Sequence, residues 1–346
     1  MGTNPPSPTS SGSQRSRPPS EKPKNSGYAV EDRELLLSLF KRYLWTPLIP
    51  HIPASVSPNA ITYCGIVCVL LAVLCALLAP TVSGLLWYAS ALLLFLYCNF
   101  DNLDGAHARR TGQTSRLGEV LDHGLDGLAT GAFFLISALI LSPDVRVRCL
   151  IVMLGMLGYS ITFFEQFHRG KLVIPALGQL EGTLAVGFAE VLCGVFHEPS
   201  WLRLSRTFNL GDAFGLVIVF GFIHNFGSPL VRCLKARVPM TSFLPAVLVL
   251  VTLALPSLRE AHVIYPAIAM SAVGASVTVR LIVRRLADCA HDTISLSSWI
   301  AGLFAAAAVL LGPLWANPMA IGSATAAVFG LLLDFRFSSV SVKESA

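Results

Sequence analysis

Charged residues are scarce in this chain. Asp, Glu, Lys and Arg together make up 13% of its 346 residues, whereas hydrophobic residues make up 54%. An ordinary soluble domain carries roughly 25% charged residues. This composition therefore excludes an ordinary soluble fold, and the apolar runs are long enough to cross a bilayer.

Cysteine motifs and strand patterns are also missing. The 8 cysteines are scattered, mostly within apolar runs, and no CxxC motif occurs. This pattern favours buried free thiols over disulfides or zinc ligands. No run alternates as a strand would, and unpaired strands are not tolerated in lipid. The sequence predicts an all-α protein, a polytopic integral membrane helical bundle.

The net charge of +5 is modest, and the basic residues fall mainly in the first segment and in short loops. That distribution indicates membrane orientation and no nucleic-acid partner. Arg109, Arg110 and Arg116 flank one short turn, while the alternate loops carry fewer basic residues. We expect that turn and both termini to face the cytosol, although the loops after the third and fifth spans weaken this assignment.

The chain divides into four parts. Residues 1–27 are rich in Pro, Ser, Lys and Arg, and we expect a disordered cytosolic tail rather than a signal peptide. Residues 28–57 mix apolar and charged positions at helical spacing, which fits an amphipathic interfacial segment or a lead-in packed on the domain. Residues 58–336 form the predicted transmembrane domain, and 337–346 a cytosolic tail.

About ten transmembrane helices are predicted within that domain. The candidate spans are 61–79, 84–109, 118–141, 149–164, 180–196, 211–226, 243–255, 262–283, 296–311 and 319–335.

Four aspartates lie at the edge of the second and third spans. Asp101 and Asp104 are three residues apart, and Asp122 and Asp126 are four apart, so each pair shares one helix face. The polar, glycine-containing stretch 110–117 between them predicts a turn that folds the two pairs together. Clustered carboxylates at a bilayer edge require a counter-charge. A divalent cation with oxygen ligands, Mg²⁺ or Mn²⁺, is the solution that this residue set favours.

Three residues beside the second aspartate indicate a bound ligand. Gly105 and Ala108 remove side-chain bulk about one helical turn apart, which leaves room for a flat or bulky group. Arg109 offers a planar guanidinium suited to a phosphate.

These residues form the pattern D-x2-D-G-x2-A-R-x8-G-x3-D-x3-D, complete from Asp101 through Gly118 to Asp126. The pattern resembles the signature of the CDP-alcohol phosphotransferase family of membrane enzymes. The run 108–126 is similar to the choline/ethanolamine phosphotransferase branch, as are 164–168 and 180–183. Ala106, His107 and Arg116 depart from that branch, so choline and ethanolamine both remain open as head groups.

The resemblance implies a reaction and its participants. Phosphoethanolamine or phosphocholine would pass from CDP-ethanolamine or CDP-choline to diacylglycerol, giving phosphatidylethanolamine or phosphatidylcholine and CMP. It implies a two-metal site, a nucleotide pocket that includes Asn59 and Gly118, an endoplasmic reticulum or Golgi membrane if the source is eukaryotic, and a homodimer. The implied metal ligands are Asp101, Asp104, Asp122 and Asp126.

The general base is left open by the sequence. Asp126 is the residue that the resemblance implies. His123 lies between two of the predicted ligands, and Glu181 opens a later span as a membrane carboxylate without another explanation. A His123–Glu181 pair would make a conventional base with an orienting carboxylate, and we favour it slightly.

Two other functions remain as alternatives. One is another branch of the same family, with a CDP-diacylglycerol donor and a small alcohol acceptor. The other is an ion-coupled transporter that uses the carboxylates as a cation pathway.

Overall fold

The computed structural model describes residues 29–142, 144–176, 178–196, 210–287 and 292–344, with only the backbone for 210–219 and 340–344. The predicted tail 1–27 lies outside these ranges. The helices are α1 (Leu37–Phe40), α2 (Thr46–Leu48), α3 (Pro58–Leu78), α4 (Leu85–Thr111), α5 (Arg116–Leu141), α6 (Val145–Arg169), α7 (Gln179–Phe196), α8 (Leu210–Lys235), α9 (Leu244–Ala254), α10 (Ile264–Ala287), α11 (Leu296–Leu310) and α12 (Pro313–Glu344).

Seven helical segments in the described ranges are long and apolar enough to cross a membrane. They indicate an integral membrane protein and confirm the predicted all-α polytopic bundle. Each of the ten predicted spans overlaps a helix, but the number of transmembrane helices stays a prediction. Helix α4 has the length to span, yet it carries two aspartates and two arginines in its last turns. The predicted boundary at residue 336 falls inside α12, which continues to Glu344.

The turn between α4 and α5 is set by two residues. Gly112 has a left-handed φ of 68° and ends α4, a conformation that glycine adopts without the steric cost of a Cβ. Ser115 then caps α5, because its hydroxyl accepts the N–H of Gly118 at 2.9 Å. The predicted turn at 110–117 is therefore present, in a shorter form.

Helix α10 lies at the centre of the bundle. It is buried along most of its length and packs against α5, α6 and α12. Glycines on α5 allow this close approach: a Cβ on Gly127 would lie 2.7 Å from the Cα of Ala275, and a Cβ on Gly131 would lie 2.5 Å from the Cβ of Ser271. The backbone of α5, which carries two of the aspartates, is thereby held against a rigid neighbour.

The segment before α3 packs on the domain. Strand β1 (Ala29–Asp32) pairs in parallel with β2 (Lys171–Ile174), and Lys171 contacts Glu31. The two strands are too short to give a periodic signal, so the sequence did not predict this small sheet. Beyond it, Trp45 is buried and donates its indole N–H to Asn99 at 2.9 Å, whereas Leu39 and Tyr43 are exposed. The contact of this segment with a membrane surface stays a prediction.

A buried ion pair joins α6 to α8. The Glu165 carboxylate accepts two hydrogen bonds from Arg232, at 2.6 and 2.7 Å, and also contacts Arg169. A buried carboxylate requires such partners, because removal from water costs several kcal/mol per ion. Glu165 therefore has a structural explanation. The nearby His168 ring packs against Phe164.

The packing of α5 on α10 gives a first prediction. Gly131→Ala should destabilise the chain by roughly 1–3 kcal/mol, the usual scale of overpacking, because the new methyl group would overlap Ser271. Gly221→Ala on α8 is the matched control, since a Cβ there meets nothing within 4 Å. Thermal unfolding in detergent measures both, and an unchanged midpoint for Gly131→Ala would contradict the close packing of α5 on α10 at this position.

Candidate active site

Three of the four predicted aspartates form one cluster. Asp101 on α4 and Asp122 and Asp126 on α5 each supply a carboxylate oxygen, and these three oxygens lie within 4.8 Å of one another. All three side chains are partly buried. The predicted folding-back of the two helices therefore brings the pairs together, and the cluster could hold a metal ion.

One atom tests whether a cation fits there. Asp122 Oδ1 is buried, and no protein group donates a hydrogen bond to it. A buried carboxylate oxygen normally has a donor or a metal, because desolvation without a partner costs about 1–3 kcal/mol or more. The donors are oxygens only, which suits a hard divalent cation. The residues present fit the implied metal.

Asp104 lies beside this cluster with partners of its own. Its side chain is 3% exposed, and it accepts hydrogen bonds from the Thr62 hydroxyl and from the backbone N–H of Gly105, both at 2.5 Å. The Thr62 contact fixes the orientation of the Asp104 side chain from α3. Its assignment as a metal ligand stays a prediction.

The sequence did not indicate two further residues that contact the cluster. The Tyr97 hydroxyl donates to Asp126 Oδ1 at 3.0 Å. The side-chain amide of Gln179 donates to the Tyr97 oxygen at 3.0 Å and to Asp101 Oδ2 at 3.1 Å. Tyr97 lies one turn before Asp101 on α4, so helical spacing could have identified it. Gln179 belongs to α7, and only the tertiary fold brings it here.

The structure places the two predicted members of the base pair in different surroundings. His123 Nδ1 lies 3.7 Å from Asp126 Oδ2, its ring packs on Phe163, and its backbone oxygen accepts a hydrogen bond from Tyr159. Glu181 instead accepts the N–H groups of Leu36 at 2.8 Å and of Gly178 at 3.2 Å. This geometry favours Asp126 as the carboxylate beside His123. The role of Glu181 as an orienting group is still a hypothesis.

Glu34 is a neighbour of Glu181 and also joins the N-terminal segment to the start of α7. Glu34 accepts the N–H of Leu180 at 2.9 Å. Burial raises the pKa of Glu34 to about 7, and the nearby charges of Asp32 and Glu181 add to that rise. Each of the two carboxylates thus accepts a backbone N–H from the other's segment, and these hydrogen bonds join the N-terminal segment to the start of α7.

The predicted pocket residues lie near the ends of α3, α4 and α5. Asn59 is next to Gly118, where an added Cβ would lie 3.6 Å from its Oδ1. The guanidinium of Arg109 is exposed and lies over Gly105, since a Cβ there would be 3.3 Å from Arg109 Nη1. Ala108 is half-buried on the same turn. Their part in substrate binding stays a prediction.

His107, one of the departures from the resembled branch, has a structural role. Its side chain is fully buried, and its Nε2 lies 2.9 Å from the backbone oxygen of Val56. Arg110 contacts the other ring nitrogen and the backbone oxygen of Ile52. The histidine and the arginine thus attach the end of α4 to the chain that leads into α3.

Comparison with known proteins identifies the domain. The sequence model of the CDP-alcohol phosphatidyltransferase family matches residues 55–198, which contain the whole acidic cluster. Choline/ethanolaminephosphotransferase 1 of Saccharomyces cerevisiae is 28% identical over 197 residues, covering 55% of this chain and 50% of that protein. Cholinephosphotransferase 1 of Bos taurus is 41% identical over 167 residues, covering 45% and 40%.

Another relative is named for a different activity. CDP-diacylglycerol–serine O-phosphatidyltransferase of Encephalitozoon cuniculi is 34% identical over 165 residues, covering 42% of this chain and 41% of that protein. This chain spans about half the length of the curated relatives that it matches.

Asp122→Asn tests the cluster. The variant keeps the side-chain shape but loses the charge that would hold a cation, so we expect turnover to fall below about a tenth of normal, which corresponds to ~1.4 kcal/mol of transition-state stabilisation. Asp144→Asn is the matched control, because Asp144 is a half-buried residue that caps α6 and pairs with Arg146, and asparagine can still cap a helix. Normal turnover by a folded Asp122→Asn protein would exclude Asp122 as a metal ligand.

Proposed function

We propose that this chain transfers phosphoethanolamine or phosphocholine from the CDP-linked donor to diacylglycerol, with release of CMP, because residues 55–198 match the sequence model of the CDP-alcohol phosphatidyltransferase family. The observation that carries the proposal is the cluster of Asp101, Asp122 and Asp126 with its buried, unpartnered Asp122 oxygen. The choline/ethanolamine branch is supported by the activities for which the Saccharomyces cerevisiae and Bos taurus relatives are named.

The metal is proposed as Mg²⁺ or Mn²⁺, with Asp101, Asp104, Asp122 and Asp126 as ligands of a two-metal site. When bound, the cations would neutralise the negative charge of the donor's diphosphate. The protein fixes three of the four carboxylates, because Tyr97 donates a hydrogen bond to Asp126, Gln179 to Asp101 and Thr62 to Asp104.

Substrate binding is proposed for the residues around the turn between α4 and α5. The exposed guanidinium of Arg109 is free to approach a phosphate. Gly105 and Ala108 add little side-chain bulk to α4 beside the proposed cytidine position, and the Arg109 guanidinium lies over Gly105. Asn59 and Gly118, which lie side by side, would form the adjoining wall.

In the reaction, the diacylglycerol hydroxyl oxygen attacks the phosphorus that bears the head group, and the bond from that phosphorus to the CMP oxygen breaks. The hydroxyl proton must pass to a base. We propose His123 for this role, with Asp126 as the neighbouring carboxylate at 3.7 Å. The alternative is that Asp126 itself accepts the proton, as the resemblance implies.

The orientation, the membrane and the oligomeric state of the protein are also part of the proposal. The arginines at the turn between α4 and α5 support a cytosolic active site, from which a charged nucleotide could enter directly. An endoplasmic reticulum or Golgi membrane follows if the source is eukaryotic. A homodimer is carried over from the resembled family.

A second branch has one observation in its favour. The microsporidian relative is named for transfer from CDP-diacylglycerol to serine, and its identity to this chain is of the same order as that of the other relatives. In that branch the lipid is the donor and a small alcohol is the acceptor.

One assay decides between the branches. The purified chain in lipid nanodiscs receives labelled CDP-ethanolamine or CDP-choline with diacylglycerol, and in a separate arm CDP-diacylglycerol with serine or inositol. We expect CMP and a labelled phospholipid in the first arm only. Product in the second arm alone would replace the proposed branch, and no product in either arm would contradict the transferase assignment and favour the transporter alternative.

The base assignment predicts different behaviour for two variants. His123→Ala should lower kcat by about 10² while leaving CDP-substrate affinity intact, the usual scale for loss of a general base. If His123 and Glu181 act as a unit, Glu181→Ala should lower kcat by the same factor. The double variant should then lose little more than either single variant. Steady-state kinetics measure both, and normal kcat in His123→Ala would leave Asp126 as the base.

A further inference from the structure

Two side chains that are not predicted metal ligands connect two carboxylates of the cluster. The Tyr97 hydroxyl and the Gln179 amide form a continuous chain of hydrogen bonds from Asp126 on α5, through α4 and α7, to Asp101 on α4. We propose that this Tyr97–Gln179 bridge is a positioning device that orients Asp101 and Asp126 toward one cation. The proposal rests on the metal site of the proposed function.

The donor count of the bridge supports this role. The Gln179 amide nitrogen has two hydrogens, and it donates one to the Tyr97 oxygen and one to Asp101 Oδ2. The Tyr97 hydroxyl accepts the first and donates its own hydrogen to Asp126 Oδ1. The bridge thus fixes one oxygen of each carboxylate, Oδ1 of Asp126 and Oδ2 of Asp101. Groups that hydrogen-bond to ligands in this way commonly raise metal affinity 10- to 100-fold.

The two members of the bridge differ in how firmly they are held. Tyr97 is 7% exposed and packs among Val69 and Ala129, so its hydroxyl has a fixed position. Gln179 is exposed at the first position of α7 and depends on its neighbours for its place. A surface amide that nothing else held would orient Asp101 poorly, because water competes for its hydrogen bonds and because ordering the side chain costs conformational entropy.

That support comes from the N-terminal segment. Glu34 accepts the N–H of Leu180, and Glu181 accepts the N–H of Leu36, so hydrogen bonds run in both directions across the junction. The β1–β2 pairing also joins the segment to the chain that leads into α7. The segment at 29–36 therefore holds the start of α7, and with it the Gln179 amide that donates to Asp101.

Metal affinity without substrate is the direct test. The full chain in nanodiscs is titrated with Mn²⁺, and free ion is measured by electron paramagnetic resonance. Tyr97→Phe and Gln179→Met, which remove the donors but keep the shapes, should each raise the Mn²⁺ dissociation constant about tenfold. The double variant should weaken binding by less than the product of the two single effects, because the residues act as one unit.

Matched variants separate positioning from a general loss of structure. Tyr88→Phe removes a hydroxyl from the same helix, where the ring packs against Gly194, and Gln166→Met removes a buried amide whose nitrogen has no hydrogen-bond partner. Both should bind Mn²⁺ as the natural chain does. Glu34→Ala should weaken Mn²⁺ binding by a few-fold, whereas Glu34→Gln keeps an acceptor for Leu180 and should retain it.

Activity gives a second readout. In Tyr97→Phe, higher Mn²⁺ concentrations should restore kcat, because the defect lies in metal affinity. Natural Mn²⁺ affinity in folded Tyr97→Phe and Gln179→Met, or a loss of kcat that saturating Mn²⁺ does not restore, would overturn the bridge. The same losses of Mn²⁺ affinity in a chain that transfers no head group would support the bridge while contradicting the proposed function.

Discussion

Repulsion between carboxylates is the constraint on which the site depends. Two unit charges roughly 4 Å apart repel by about 4 kcal/mol even at an effective dielectric constant of 20, and the cluster holds three within 4.8 Å. Such a group persists only if a cation or protons balance it. Hydrogen bonds from Tyr97 and Gln179 reach Asp126 and Asp101 in the cluster, and Thr62 donates to the neighbouring Asp104, so the protein fixes the orientation of these three carboxylates.

The rest of the bundle keeps those carboxylates in place. Helix α5 is fixed by the close approach of α10 at Gly127 and Gly131, and α4 is held by α3 and α7. Rigid helices are better supports for a metal site than loops, because small displacements of a ligand already weaken binding. The turn between α4 and α5 remains the open side, and the exposed Arg109 lies there.

The sequence predicted the parts of this arrangement that local spacing determines. Aspartates three and four residues apart had to share helix faces, and the glycine in the stretch 110–117 had to end a helix. The partners of His123 and Glu181 could not be derived in the same way. Glu181 binds a backbone N–H of the N-terminal segment, and neither composition nor periodicity encodes a contact between residues 145 positions apart.

Similar reasons explain the residues that were missed. Gln179 reaches Asp101 only because α7 packs on α4. Strand β1, which precedes α3 in the chain, pairs with β2, which follows α6. The His107 contact to Val56 is likewise tertiary, so a departure from the resembled branch could not be read as structural in advance. The family motif supplied the chemistry, while the fold supplied the positions of the groups around it.

Anomalous diffraction tests the central claim most directly. Crystals of the chain grown with Mn²⁺ and measured at the manganese edge should show an anomalous peak bounded by oxygens of Asp101, Asp122 and Asp126, with Asp122 Oδ1 among its ligands. A second peak beside Asp104 would complete the two-metal site. Well-ordered carboxylates with no anomalous peak between them at saturating Mn²⁺ would contradict the account.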